Sequence, residues 1–148
     1  MQRCTWHKWQ NLVEHCPVHA RGELKRDYDA IVYADDAMKA RKDYAAFVAK
    51  WTKLCPAVAR SLEEAGDRLL TFYAFPKPLW RALRTTNTLE NLNREFRRRT
   101  KTQASFSSEA SAVTLLYALV AFGQIRLNRI GGHAHVSDIV AARVASAA

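Results

Sequence analysis

The sequence predicts a mainly α-helical protein, and three observations carry that prediction. Apolar residues recur at three- and four-residue intervals, and no stretch alternates cleanly with period two. Prolines and glycines fall between the periodic segments and punctuate them. The 148 residues are 49% hydrophobic and 25% charged, enough apolar side chain for one sizeable core and too much for wholesale disorder.

In chain order, a first helix is expected through Trp6, Trp9, Leu12 and Val13, stopping before Pro17. The run ARGELKRD reads as a polar connector. Helices are then expected over about Leu24–Tyr33 and about Asp36–Leu54, the second with apolar positions at Tyr44, Phe47, Val48 and Trp51. Pro56 suits the first turn of another helix, running through Val58, Leu62 and Leu69. FYAFPKPLW cannot be one regular helix, because Pro76 and Pro78 each lack an N–H donor. Two strong helices follow, about Asn87–Lys101 and Ser108–Arg129, with Gly131 and Gly132 ending the second and an Ala-rich tail beyond. Internal repeats and low-complexity tracts are absent.

Charge narrows the function classes. Lys plus Arg number 23 against 14 Asp plus Glu, a formal charge of +9, and the pI is near 9.8. Such an excess favours polyanionic partners, because neutralising phosphates releases condensed counterions. The longest apolar run, Ala112 to Phe122, is shorter than the ~18–20 residues a membrane span needs, so no membrane role is expected. The N-terminus lacks the apolar stretch of a secretory signal. Three widely spaced cysteines, Cys4, Cys16 and Cys55, argue against a disulfide framework. A cytoplasmic location is the expectation.

The informative stretch is RALRTTNTLENLNREFRRRTK, Arg81 to Lys101, with seven basic residues and two acids, Glu90 and Glu95. On a helix starting after Asn87, Leu89, Leu92 and Phe96 form an apolar stripe at i, i+3 and i+7. Glu90, Arg94, Arg97 and Lys101 form a second stripe at i, i+4, i+7 and i+11, while Arg98 and Arg99 extend the positive charge. Spacing alone leaves two readings open. Asn87 and Glu90 fit a capping box, and Glu90 with Arg94 is an ordinary i, i+4 pair. In the other reading Glu90 binds a divalent metal while Arg94, Arg97 and Lys101 hold DNA phosphates.

This stretch, extended back through FYAFPKPLW, resembles the region around the third acidic residue of mutator-type bacterial insertion-sequence transposases. That family has an RNase H-like core and an Asp-Asp-Glu triad. The matching residues are Arg84, Thr85, Thr86, Asn87, Glu90 and, seven positions on, Arg97. MQRCTWHKWQNL is similar to the Q-R-C-x-x-H-K-x-x-N segment that follows the family's second catalytic aspartate, with Cys4 and His7 as its C-x-x-H pair. The resemblance implies that Glu90 is the catalytic and metal-binding glutamate, with Mg²⁺ or Mn²⁺ in the complete enzyme. Arg84, Arg94, Arg97, Arg98, Arg99 and Lys101 are implied DNA contacts, and Cys4, His7 and Asn87 supporting residues. It implies transposon-end and target DNA as partners, and a homo-oligomer at full length.

The fold implied is the C-terminal part of an RNase H-like core with a helical insertion, its strands mostly upstream. The divisions expected are 1–21 for the C-x-x-H segment, 22–80 for the insertion, 81–130 for the glutamate helix and closing helix, and 131–148 for a tail. Asp27, Asp29, Asp35 and Asp36 match nothing catalytic and read as a solvated face or helix starts.

Other candidates are weaker. His15, Cys16 and His19 form H-C-x-x-H, but Pro17 in its middle points to a helix end rather than a metal site. His133 and His135 read as solvent-exposed. Trp6, Trp9, Trp51 and Trp80 are expected mainly in the core, with Trp80 the candidate for stacking on DNA. No Gly-rich phosphate loop or G-x-S-x-G elbow is present. The competing function is a non-catalytic basic helical module that binds DNA or a transposase, and a decayed remnant is a third. Carrying one of three carboxylates, the chain alone is expected to be inactive. Divalent-metal-dependent nicking by the purified chain that disappears in Glu90→Gln would contradict this.

Overall fold

The computed structural model describes residues 2–101, 106–126 and 129–147, with side chains described up to residue 141. All regular elements among them are helices: α1 (Thr5–His15), α2 (Arg21–Val32), α3 (Ala37–Leu54), α4 (Pro56–Ala65), α5 (Trp80–Leu83), α6 (Asn87–Thr100), α7 (Glu109–Ala121) and α8 (Val136–Ala147). None of the described helices is long and apolar enough to cross a membrane. The mainly α class is therefore observed. Two compact units divide the chain, one of residues 1–85 and 131–148, the other of residues 86–130.

In the first unit, α3 packs on α2 and α4, and α1 packs on α4 and α2. Each helix contributes a stripe at helical spacing: Leu24, Tyr28, Ile31 and Val32 from α2, Ala40, Phe47 and Trp51 from α3, and Val58, Ala59, Leu62 and Ala65 from α4. Asp36 caps α3 by accepting from the Lys39 amide at 2.8 Å, and Pro56 opens α4 at a position where a missing N–H does no harm. A polar clamp ties α2 to α3. The Asp27 carboxylate accepts from Lys50 Nζ at 2.6 Å and from Trp51 Nε1 at 2.9 Å. Asp27 thus joins two helices and is neither part of a solvated face nor a helix-start residue.

Several expectations are corrected. The supposed connector, ARGELKRD, is largely the first two turns of α2: Arg21, Lys25 and Arg26 are exposed, Glu23 and Asp27 pair with α3, and Leu24 faces the core. The inward stripe of α1 is Thr5, Lys8 and Leu12, with Trp9 and Val13 half-buried and Trp6 53% exposed. The helix begun at Pro56 stops at Ala65, where Gly66 takes φ +51°, and short 3₁₀ turns lead through Leu69 and Ala74 to Pro78. That proline-broken course agrees with the expectation for FYAFPKPLW. The tail is not featureless either, since it holds α8.

The N-terminal segment is sewn to these turns. Arg3 N–H donates to the Arg68 carbonyl at 2.9 Å. The Gln2 amide group donates to the Leu69 carbonyl at 3.0 Å and accepts from the Phe72 N–H at 2.9 Å. Lys8, only 3% exposed, donates to the Ser61 carbonyl at 2.7 Å and to Glu64 at 3.2 Å. Gly131 and Gly132 in turn lie against the backbone of Pro78, and Gly132 also against that of Leu79. A Cβ at Gly132, whose φ is +77°, would sit 2.7 Å from the Pro78 carbonyl carbon.

In the second unit, Ser108 caps α7 by accepting from the Ser111 amide at 3.2 Å. The helix ends at Ala121, well before the predicted Arg129, because Gly123 adopts φ +68° and donates to the Val120 carbonyl at 3.1 Å. Residues 127 and 128 of the predicted helix lie outside the described residues.

Lys8→Met is expected to lower the melting temperature by roughly 5 °C or more, since the Ser61 carbonyl loses the ammonium and Glu64 keeps only its Arg3 partner. The Lys8 hydrogen bond, then the charges of Lys8 and Arg3, hold the Glu64 carboxyl below the usual range. Its stabilisation is therefore complete above the ordinary carboxylate pKa and is lost as pH falls through the lower folded value. Thermal melts across acid pH should show this slope flattened in Lys8→Met, and an unchanged slope would count against the pairing.

Candidate functional site

The two sequence motifs are built from helix ends. Cys4 is the N-cap of α1 and His7 its third residue, so the pair spans the first turn. Cys4 is half-buried and His7 exposed. The next residue after Cys4 anchors the segment: Thr5 donates from both its backbone N–H and its hydroxyl, each at 2.9 Å, to the carbonyl of Arg84. Tyr28 donates its hydroxyl to the Thr5 carbonyl at 2.7 Å, and burial pushes that phenol far above its usual range. Arg84, first residue of the R-T-T-N-x-x-E run, is thereby joined to the C-x-x-H segment across 79 positions of sequence. Its guanidinium carbon lies 4.3 Å from the ring centroid of Tyr33.

Glu90 stands in the first turn of α6 and is exposed. The N-cap is Thr86, not Asn87, and no side chain caps the helix at that residue. The expected Asn87–Glu90 capping box is thus corrected: the Thr86 hydroxyl donates to Glu90 Oε1, and Asn87 is an exposed first-turn residue. Arg94, the expected partner of Glu90, donates to Asn91 Oδ1 at 2.7 Å. Glu90, Arg94, Arg97 and Lys101 are all exposed, as the charged stripe requires. Of the apolar stripe, Leu92 and Phe96 are half-buried, whereas Leu89 is 62% exposed.

The arginines divide into two groups. Arg98 donates to Glu95 at 2.9 Å, and Arg99 donates both to Glu95 and to the Gln124 carbonyl after α7. These contacts hold the helix pair as well as presenting charge. Lys101 follows at the C-cap of α6. Acid in the first turn and base in the last complement the helix dipole.

The donor set at Glu90, a carboxylate beside a hydroxyl, is the hard-oxygen chemistry that suits a divalent cation such as Mg²⁺. Among the described residues no group of three His, Cys, Asp or Glu gathers to hold a metal ion. The H-C-x-x-H run behaves as a helix end: α1 stops at His15, and Cys16 is buried. His133 is exposed and His135 half-buried. Trp80, the candidate stacking residue, is a packing residue, edge-on to Phe72 and Tyr73 at 6.1 and 4.7 Å and donating to the Phe75 carbonyl at 2.7 Å.

Residues 1–124 match the family described as Transposase, Mutator family. The chain is 36% identical over 120 residues to the transposase for insertion sequence element IS1081 of Mycobacterium tuberculosis, covering 81% of this chain and 29% of the relative. It is 33% identical over 118 residues to the transposase for insertion sequence element IS905 of Lactococcus lactis, covering 80% of this chain and 30% of the relative. With the transposase for insertion sequence element ISRM5 of Rhizobium meliloti it shares 32% identity over 118 residues, 80% of this chain and 30% of the relative. The matched part is thus about 30% of the length of these relatives.

Hydrogen bonds from Arg99 and Arg98 hold the Glu95 carboxyl below the usual range. Their contribution is present above the ordinary carboxylate pKa and fades as pH falls through the folded value. A side-chain NMR titration should place the Glu95 midpoint below the ordinary ~4.3, with Arg99→Ala moving it upward. A midpoint indifferent to Arg99→Ala would show that this ion pair does not form in solution.

Proposed function

The chain belongs to the mutator family of transposases, and from that footing we propose that it is the glutamate-bearing part of a DDE enzyme with an RNase H-like core. The complete enzyme cleaves phosphodiester bonds at transposon ends and joins the freed 3′-hydroxyls to target DNA. One observation carries the reading: an exposed carboxylate in the first turn of α6 is held by a neighbouring hydroxyl and followed along the same stripe by Arg94, Arg97 and Lys101.

Glu90, together with two aspartates that the resemblance places upstream, would hold Mg²⁺ or Mn²⁺. Such an ion, when bound, activates the attacking oxygen and stabilises the leaving one. Thr86 orients the glutamate carboxylate through its hydrogen bond. Arg97, Arg94 and Lys101 hold backbone phosphates and fix the scissile strand in register. Arg98 and Arg99 add to the field but share their charge with Glu95. By the resemblance Cys4 and His7, at the start of α1, and Asn87, in the first turn of α6, are supporting residues. Family membership favours this reading over an unrelated basic binding module.

The test replaces the matching segment of a full-length relative with residues 1–124 of this chain. Glu90→Gln in that protein should reduce strand transfer about 100-fold or more while end binding persists. Retained strand transfer would overturn the assignment of Glu90. On duplex DNA, Arg97→Ala should lower the salt slope of binding by about one unit, and Arg98→Ala by less.

A further inference from the structure

Most aromatic side chains of the first unit are absorbed by packing. Tyr28 and Tyr73 bury their hydroxyls on the carbonyls of Thr5 and Ile31, each at 2.7 Å. Burial pushes the Tyr73 phenol up to about 12. Tyr33 differs. It follows the last residue of α2, is 59% exposed, and carries the planar guanidinium of Arg84 over its ring at 4.3 Å.

Both partners are held from the backbone. Tyr33 N–H donates to the Asp29 carbonyl at 2.8 Å, and Arg84 N–H to the Trp80 carbonyl at 3.0 Å. The Arg84 carbonyl is fixed by the two Thr5 donors. A surface aromatic ring and a guanidinium plane, prepositioned against each other, are the two flat groups on which proteins stack unpaired bases. A phosphate would engage the cation but has no use for a neutral ring left open to solvent. The formal charge of +9 draws the strand in, and the ring supplies what charge cannot.

We propose that Tyr33 and Arg84 form one stacking platform that takes an unpaired base of the DNA strand. The proposal rests on the reading of this chain as part of a DNA transposase and deepens it. It assigns to Tyr33 a contact with DNA and to Arg84 a stacking role in addition to its charge. Stacking accepts any base, so the platform recognises strand separation rather than sequence.

The purified chain is titrated into a labelled single strand carrying one 2-aminopurine, and in parallel into a blunt duplex of the same length. Tyr33→Ala should weaken single-strand binding about 5- to 150-fold and leave duplex binding within about twofold. Quenching of 2-aminopurine should vanish in Tyr33→Ala and in Tyr33→Leu, which keeps apolar bulk without a flat face, and should return in Tyr33→Phe. Arg84→Lys keeps the charge and loses the plane, so single-strand affinity should fall with the salt slope unchanged. Equal losses on single strand and duplex in the Tyr33 variants, or unaltered quenching, would overturn the platform. Duplex binding that still depends on Arg97 would then leave the proposed function standing. A wild-type chain that binds neither form of DNA at low salt would remove both.

Discussion

The carbonyl oxygen of Arg84 is the point on which the first unit's arrangement turns. As the C-cap of α5 it belongs to the group of carbonyls for which a helix supplies no partner. Thr5, as the first residue of α1, owns one of the N–H groups a helix leaves unpaired at its other end. The two deficits cancel: the end of one helix meets the start of another, and the threonine hydroxyl adds a second donor. This head-to-tail junction sets negative and positive dipole ends together. It also determines where Cys4 and His7 lie with respect to Arg84, because the helix start that contains them cannot rotate without stranding three polar groups.

On α6 the residues proposed for ligand chemistry also serve helix stability, and charge placement is what allows both. A first-turn acid and last-turn bases are favourable whether or not anything binds. Glu95 draws Arg98 and Arg99 into ion pairs, and Arg99 reaches on to the turn that closes α7. Arg97 and Lys101 stand on the exposed stripe with Glu90. A basic run of RRR is therefore not three equivalent charges.

Much of this was legible in the sequence where periodicity was strong. Helices with a regular apolar stripe, such as Ala37–Leu54, lie where spacing placed them, and the prolines of FYAFPKPLW broke the chain as expected. Failures came where composition overrode pattern. ARGELKRD looked like a connector because five of its eight residues are charged, yet Leu24 sits on the inward face of α2. Lys8, of a residue type that carries no mark of burial, is buried on Ser61 and Glu64. Gly123, four positions beyond Leu119 in an apolar run, was the stop signal that ended α7 early. In the candidate site, Glu90 was found through resemblance, and its position one residue further into the helix than a capping box requires depends on Thr86 taking the N-cap. The Thr5–Arg84 junction and the Tyr33–Arg84 contact were not visible at all, since each is a meeting of residues distant in sequence whose types carry no mark of it.

Gly132 sits beyond the stretch matched to the family, and the atoms a side chain there would strike first are main-chain atoms of Pro78 and Leu79. A join of this kind is indifferent to most of what surrounds it. Pro78 and Leu79 offer the same backbone whatever they carry, and the residues flanking the glycine can drift. The glycine cannot, because any other residue brings both a collision and an unfavourable left-handed backbone. One glycine is thus enough to let this backbone-to-backbone approach form, with no demand on the side chains around it.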